Sequence, residues 1–161
     1  MSTPSTVLLI GYGNPGRLDD GLGPALADVF EAKQLDGVTV DSNYQLSVED
    51  ADAIAQHDVV LFVDASVSGR EPFWFDRVDP KKEVSFSSHS ISPEALMDMS
   101  NNILNGNTRG YILGIRGYEF NEFGERLSSK ANENLAEAVK FVEMALSDKQ
   151  FDRYVSEYKN V

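Results

Sequence analysis

Two short, continuous apolar runs constrain the fold of this chain most strongly. Residues 6–11 read TVLLIG and residues 58–64 read DVVLFVD, and in neither run do apolar and polar positions alternate. A strand with apolar side chains on both faces is typical of a parallel sheet that helices cover on both sides. Both runs therefore predict central strands of an α/β fold.

The segments between and after these runs extend that prediction. Residues 24–33 place Leu26, Val29 and Phe30 on one helical face, with Pro24 in the first turn, where it breaks no hydrogen bond. The other predicted strands are at 38–41, 72–78 (aromatic-rich and near an edge) and 111–115. The other predicted helices are at 48–56, 91–104 and 128–146, and the C-terminal tail either extends the last helix or frays. This order predicts an α/β fold in one domain over residues 1–161: a three-layer α/β/α sandwich with a mostly parallel, twisted sheet of about five strands and helices on both faces.

Composition excludes several function classes. The chain has 161 residues, a net charge of -12 and no cysteine. The charge repels phosphate backbones and anionic lipid headgroups, and the lack of cysteine excludes disulfides, zinc fingers and thiol catalysis, so that any metal must bind through oxygen and imidazole. The N-terminal segment lacks the pattern of a signal peptide and no apolar run is long enough for a membrane helix. We expect a cytoplasmic protein with no nucleic-acid partner and no membrane insertion.

Acidic residues follow the predicted strands. Ligands of open α/β sheets bind beyond the carboxyl ends of the strands, and the polar residues that follow the first three strands are Asn14, Asp19, Asp20, Asp41, Asn43 and Asp64. Taken singly, Asp19 or Asp20 is typical of a helix cap and Asp64 of a turn. Several carboxylates at one edge, however, repel each other unless a proton or a cation intervenes. Together they indicate a functional site.

The chain has two histidines, of which one is a candidate ligand. His89 lies in the polar segment SFSSHSISPEAL, ahead of a predicted helix, and we expect it above the same edge, although a loop histidine taken alone is more often a solvated surface group. His57 precedes the third strand, at the opposite edge, and is interpreted as structural. Two carboxylates and one imidazole suit a divalent transition metal such as nickel or zinc with open coordination positions.

A dinucleotide-binding loop is an alternative interpretation of GYGNPG at residues 11–16. The letters match G-x-G-x-x-G, and Asp41 has the place of a ribose-binding acid. Against it, Pro15 interrupts the motif, residues 17–23 separate it from the helix, and two aspartates lie where phosphates would bind. Gly21 and Gly23 are interpreted as allowing a ligand or another chain to approach the backbone, or as a plain turn into the helix.

Four segments resemble the hydrogenase maturation endopeptidase family in order and spacing: LLIGYGNPGRLDDGLGPALADVFE, LFVDAS, SSHSISPEAL and GYILGIRGYEF. The resemblance implies an endopeptidase that removes the C-terminal extension of a nickel-iron hydrogenase large-subunit precursor after nickel insertion. By motif position it implies Asp20, Asp64 and His89 as catalytic and metal-binding residues. It also implies nickel supplied by the precursor, with zinc or cadmium able to substitute, the precursor as partner, and a monomer. Some members carry glutamate where this chain has Asp20, and residues 44–46 depart from the glycine-rich form of others.

Several mechanisms and functions stay open at this stage. Ser88 and Ser90 flank His89 without the G-x-S-x-G motif of a nucleophile elbow, so a serine triad is not indicated. An aspartic dyad of Asp20 and Asp64 is one alternative mechanism. A noncatalytic metal-binding assembly factor and a dinucleotide-binding protein are the alternative functions. The aromatic run at residues 73–75 is interpreted as strand packing in preference to a docking surface.

Overall fold

The computed structural model describes residues 5–81 and 91–160, and in these ranges the predicted α/β architecture is confirmed. The strands are β1 (Val7–Tyr12), β2 (Val38–Asn43), β3 (Val59–Ser66), β4 (Phe73–Val78) and β5 (Arg109–Arg116). The helices are α1 (Leu22–Lys33), α2 (Asp50–Ala55), α3 (Pro93–Asp98), α4 (Ser129–Asp148) and α5 (Phe151–Tyr158), with a 3₁₀ turn at Leu18–Gly21 and a π-helical turn at Met99–Ile103.

The strands form one sheet in the order β2-β1-β3-β5-β4, in which only β4, at an edge, is antiparallel to its neighbour. Alternate residues of the buried strands enter two different cores. Val7 and Leu9 pack with α1, α4 and α5, whereas Leu8 and Ile10 pack with α2 and α3. The continuous apolar runs are therefore explained by helices on both faces of the sheet.

The helix boundaries differ from the prediction by one or two residues at α2 and α4, and three further differences are informative. Helix α1 begins at Leu22, two residues before Pro24, which still lies in its first turn. The helix predicted at 91–104 is shorter: the Ser92 side chain caps it by accepting from the amide of Ala95, and the π-helical turn follows Asp98. The C-terminal tail neither extends α4 nor frays, because Lys149 adopts a φ of 57° that ends α4 and α5 forms a separate helix.

The segment at residues 117–128 packs on the loop that follows β1. The Leu18 amide donates to the Gly124 carbonyl at 3.0 Å, and the Gly124 amide donates to the Gly16 carbonyl at 2.8 Å. The Arg17 guanidinium donates to the Phe120 carbonyl at 2.9 Å. These bonds hold the first loop in place beside the carboxyl ends of β1 and β3. No helix in the described ranges combines the length and apolar character needed to cross a bilayer.

Candidate functional site

Asp20 and Asp64 lie close together at the carboxyl edge of the sheet. Asp64 is in β3, directly after Val63, which pairs with Gly11 of β1. Asp20 is in the 3₁₀ turn, and its carboxylate accepts a hydrogen bond from the backbone amide of Asn14 at 2.8 Å. Both side chains are half-buried. The two carboxylates interact electrostatically, because the charge of Asp20 acts to raise the pKa of Asp64.

Burial is the largest cause of an unusual pKa at Asp64. Loss of water raises the pKa of this carboxyl, and the charge of Asp20 raises it further. Hydrogen bonds from the Ala65 amide, at 2.8 Å, and from Tyr12 oppose the shift. The resulting pKa is about 7, against an ordinary value of 3.8. Asp64 therefore exchanges a proton near neutral pH, as a general acid or base must.

Tyr12 is a neighbour of Asp64 that sequence reasoning missed. It ends β1 at the level of Asp64, and burial, followed by the charge of Asp64, raises the pKa of its phenol. The hydroxyl is therefore a proton donor at any physiological pH. The sequence signal was its position as the first polar-tipped residue after the apolar run, inside GYGN.

Two glycines bring the first loop and α1 against the strand ends. Gly13 has a φ of 139°, and a Cβ there would lie 2.2 Å from the Asp20 carbonyl oxygen. A Cβ on Gly23 would lie 2.5 Å from the carbonyl oxygens of both Tyr12 and Val63. Of the two interpretations of Gly21 and Gly23, the structure supports a plain turn into the helix: a Cβ on Gly23 would meet these carbonyls, and a Cβ on Gly21 would lie 2.9 Å from the Pro15 Cα. The close approach is to the chain's own backbone.

The position of Asp19 in the sequence suggested that it caps α1, but the structure shows that it does not. It is fully buried, and its carboxylate accepts from the amides of Tyr118, Glu119 and Ser128 and from the Ser128 hydroxyl, at 2.7–3.0 Å. Burial alone would raise the pKa of Asp19, but these hydrogen bonds outweigh it and the pKa is lowered. Asp19 therefore joins the 3₁₀ turn that carries Asp20 to the start of α4.

Asp19→Ala should destabilise the protein by about 3 kcal/mol, because it removes a buried charged acceptor and leaves four donors without their partner. Since the folded-state pKa of Asp19 is lowered, its contribution is present above pH 4 and is lost as the pH falls through that pKa. Urea denaturation at pH 7 and at pH 3 measures both effects, with the exposed Asp36→Ala as control. Equal stability of Asp19→Ala and the control at pH 7 would contradict this role.

Asp41 does not join the Asp20–Asp64 pair, and the prediction that acids from three strands converge is wrong in this respect. Asp41 lies within β2 opposite Ile10, is exposed, and bonds to its neighbours Ser42 and Asn43. Its charge acts on Asp50 of α2, where it adds to burial in raising the pKa of that carboxyl.

The two histidines have different outcomes. His57 is structural as predicted: its ring nitrogens lie 2.7 Å from the Ala53 carbonyl and 3.1 Å from the Thr39 hydroxyl, near the amino end of β3. His89 lies outside the described residues, so its place in the site stays a prediction. Within residues 5–81 and 91–160, no three His, Asp or Glu side chains group as metal ligands. Of the three predicted ligands, the structure brings Asp20 and Asp64 together, and their binding of a metal stays a prediction.

The aromatic run at residues 73–75 is divided between the two faces of the sheet. Phe73 and Phe75 are buried in the core that contains α4 and α5, which confirms packing as their role. Trp74 points to the opposite face and is half-buried. It shares that face with Asp64.

Comparison with known proteins supports the fold. The sequence matches no protein-family model and no curated protein sequence. The NiFe hydrogenase maturation protease HycI of Thermococcus kodakarensis superposes with a TM-score of 0.71 at 20% identity, over 91% of this chain and 96% of that chain. The hydrogenase maturating endopeptidase HybD of E. coli gives 0.68 at 21% identity, over 90% and 94%. The hydrogenase 2 maturation peptidase of a Thaumarchaeota archaeon gives 0.64 at 20% identity, over 88% and 98%. The resemblance is thus confirmed at the level of the fold.

Proposed function

We propose that this protein is an endopeptidase that removes the C-terminal extension of a nickel-iron hydrogenase large-subunit precursor, and that it recognises the nickel already inserted there. The observation that carries the proposal is the Asp20–Asp64 pair, half-buried at the carboxyl edge of a fold shared with hydrogenase maturation peptidases. The four sequence segments that resemble this family support it independently of the fold.

The donor set fits a divalent metal that arrives with the substrate. Burial raises the pKa of Asp64 most and the charge of Asp20 adds to it, and a cation between the two carboxylates relieves their repulsion. We assign Asp20, Asp64 and His89 as the residues that hold nickel of the precursor, with zinc or cadmium able to substitute. A site of oxygen and imidazole donors with open positions leaves room for ligands from the precursor.

The reaction adds water across the scissile peptide bond: a hydroxyl joins the carbonyl carbon, and the amine leaves with a proton. If Asp20, Asp64 and His89 held nickel of the precursor, the metal would supply Lewis-acid chemistry at the scissile carbonyl or at water. In the metal-free protein the pKa of Asp64 is about 7, so this carboxyl accepts and releases protons near neutral pH when no cation is bound to it. A dyad in which Asp20 and Asp64 share one proton is the alternative mechanism.

Incubation with nickel-loaded precursor, followed by measurement of the large-subunit mass, tests the function. Loss of the extension from the nickel-loaded precursor, with a nickel-free precursor left intact, supports a nickel-guided peptidase. A stable complex without loss of mass supports a noncatalytic assembly factor. Saturable binding of NAD would support the dinucleotide alternative. Two observations disfavour that alternative: five residues separate GYGNPG from α1, and Asp41 is exposed and bonded to its own neighbours.

His89→Ala should slow processing of nickel-loaded precursor by at least about 100-fold while the protein stays folded, because it removes the nitrogen ligand. His57→Ala is the matched control, since it changes the chain's other histidine and leaves the proposed ligands intact. The rate of mass loss measures the effect, and circular dichroism checks the fold. Full activity of His89→Ala would remove this residue from the site.

A further inference from the structure

We propose that Trp74 is a substrate-positioning residue: its indole forms one wall of the Asp20–Asp64 site, and the precursor segment that enters the site packs against the exposed part of the ring. This inference rests on the proposed function, which does not itself assign a role to β4. Trp74 is half-buried, whereas its neighbours Phe73 and Phe75 are buried on the other face.

Strand register places Trp74 on the same face as Asp64. Asp64 of β3 pairs with Gly114 of β5, and Gly114 pairs with Trp74 of β4. Paired residues of neighbouring strands project to the same side of a sheet. Strand β5 alone therefore separates Trp74 from Asp64, and its residue at this level, Gly114, has no side chain.

The indole occupies the space that a side chain on Gly114 would fill. A Cβ on Gly114 would lie 2.2 Å from Cε2, 2.3 Å from Cζ2 and 2.6 Å from Nε1 of Trp74. The Nε1–H group donates to the Ser66 hydroxyl at 3.0 Å. Ser66 follows Asp64 by two residues on β3 and so projects to the same face. The ring thus extends from β4 across β5 and reaches β3 beside Asp64.

Tyr12 lies on the other side of Asp64. It follows Gly11, the partner of Val63, and so stands at the level of Asp64 on β1. Asp64 is therefore placed between two aromatic residues on one face of the sheet. A rigid ring offers a large apolar contact area at a small cost in conformational entropy, and buried Trp and Tyr contacts often dominate binding energy. A peptide that reaches Asp64 along this face passes Trp74.

Variants of the wall test the proposal through KM. Trp74→Phe replaces the indole with a smaller ring and removes the hydrogen bond to Ser66. Gly114→Ala displaces the indole without changing Trp74 itself. Both should raise KM for the nickel-loaded precursor about tenfold with a smaller change in kcat. Gly110→Ala is the matched control on the same strand, because its Cβ meets the flexible Met97 side chain, 2.7 Å from its sulfur. A wild-type KM in Trp74→Phe would overturn the proposal. If Gly114→Ala does not fold, the result for Trp74→Phe alone is decisive.

Fluorescence gives a second readout, which tests whether the Trp74 indole lies beside the Asp20–Asp64 site. Trp74 is the only tryptophan of the chain, so intrinsic emission reports this wall directly. Ni²⁺ alone should quench the emission saturably in the wild type and not in Asp64→Asn. Unchanged emission at saturating Ni²⁺, with binding established by calorimetry, would overturn the placement of Trp74. Absence of cleavage by the wild type would instead contradict the proposed function, and the quenching experiment would still decide on the wall.

Discussion

Asp64→Asn is expected to abolish processing of the nickel-loaded precursor and, at the same time, to stabilise the metal-free protein above pH 7. The amide binds nickel weakly and accepts no proton, so that both the recognition and the chemistry assigned to Asp64 are lost. We expect a fall of at least about 10⁴-fold in the processing rate, to below detection. Opposite effects on activity and stability are typical of a residue that serves a site and not the fold.

The sign of the stability effect follows from the direction of the pKa shift. The pKa of Asp64 in the folded protein is raised to about 7, chiefly by burial. Its contribution is therefore most favourable below the unfolded-state pKa near 4 and is lost as the pH rises through 7, where the buried carboxyl must ionise. Asparagine avoids this cost, which is about 3 kcal/mol after allowance for solvent screening of a half-buried charge.

Urea denaturation of the wild type and Asp64→Asn at pH 4 and pH 9, with a metal chelator present, measures the difference. The two curves should differ little at pH 4, near the unfolded-state pKa, and separate at pH 9, with the variant more stable. A separation of the same size at both pH values would mean that the charge of Asp64 is not the cause. Retention of processing by the variant would contradict the site itself.

The sequence predicted the sheet well because burial on both faces leaves a direct signature. The runs that became β1 and β3 are apolar at every position from Val7 to Ile10 and from Val59 to Val63, and the same rule placed Asp20 and Asp64 at one edge. Helix ends were less predictable. Lys149 adopts a left-handed conformation in a segment whose helical pattern gives no sign of a break.

The contacts of the site depended on tertiary pairings that one sequence does not display. The role of Asp19 is set by Tyr118, Glu119 and Ser128, about a hundred residues later in the chain. The place of Trp74 depends on the register that sets it against Gly114, and a strand pattern alone does not fix register between distant strands. Asp41 shows the converse: it has the right position in the sequence, but its side chain interacts with Asp50.

Asp20→Asn should also stop processing, with a loss of about 10³-fold, and it should lower the pKa of Asp64 in the metal-free protein. Both effects have one cause, the charge of Asp20: in the proposed site it would attract nickel, and it adds to burial in opposing ionisation of Asp64. Asp20→Glu keeps the charge and should retain more activity than Asp20→Asn.

The pKa of Asp64 can be followed by carboxyl ¹³C chemical shifts across pH 4–9 in the wild type, Asp20→Asn and the exposed control Asp36→Asn. The control should leave both the titration of Asp64 and the processing rate unchanged, because Asp36 lies in the turn before β2, at the amino end of the sheet. If Asp20→Asn lost processing with no change in the Asp64 titration, Asp20 would act on the substrate alone. If the titration moved while processing persisted, the two carboxylates would interact without forming a nickel site, and recognition of the precursor would have to come from elsewhere on the sheet edge.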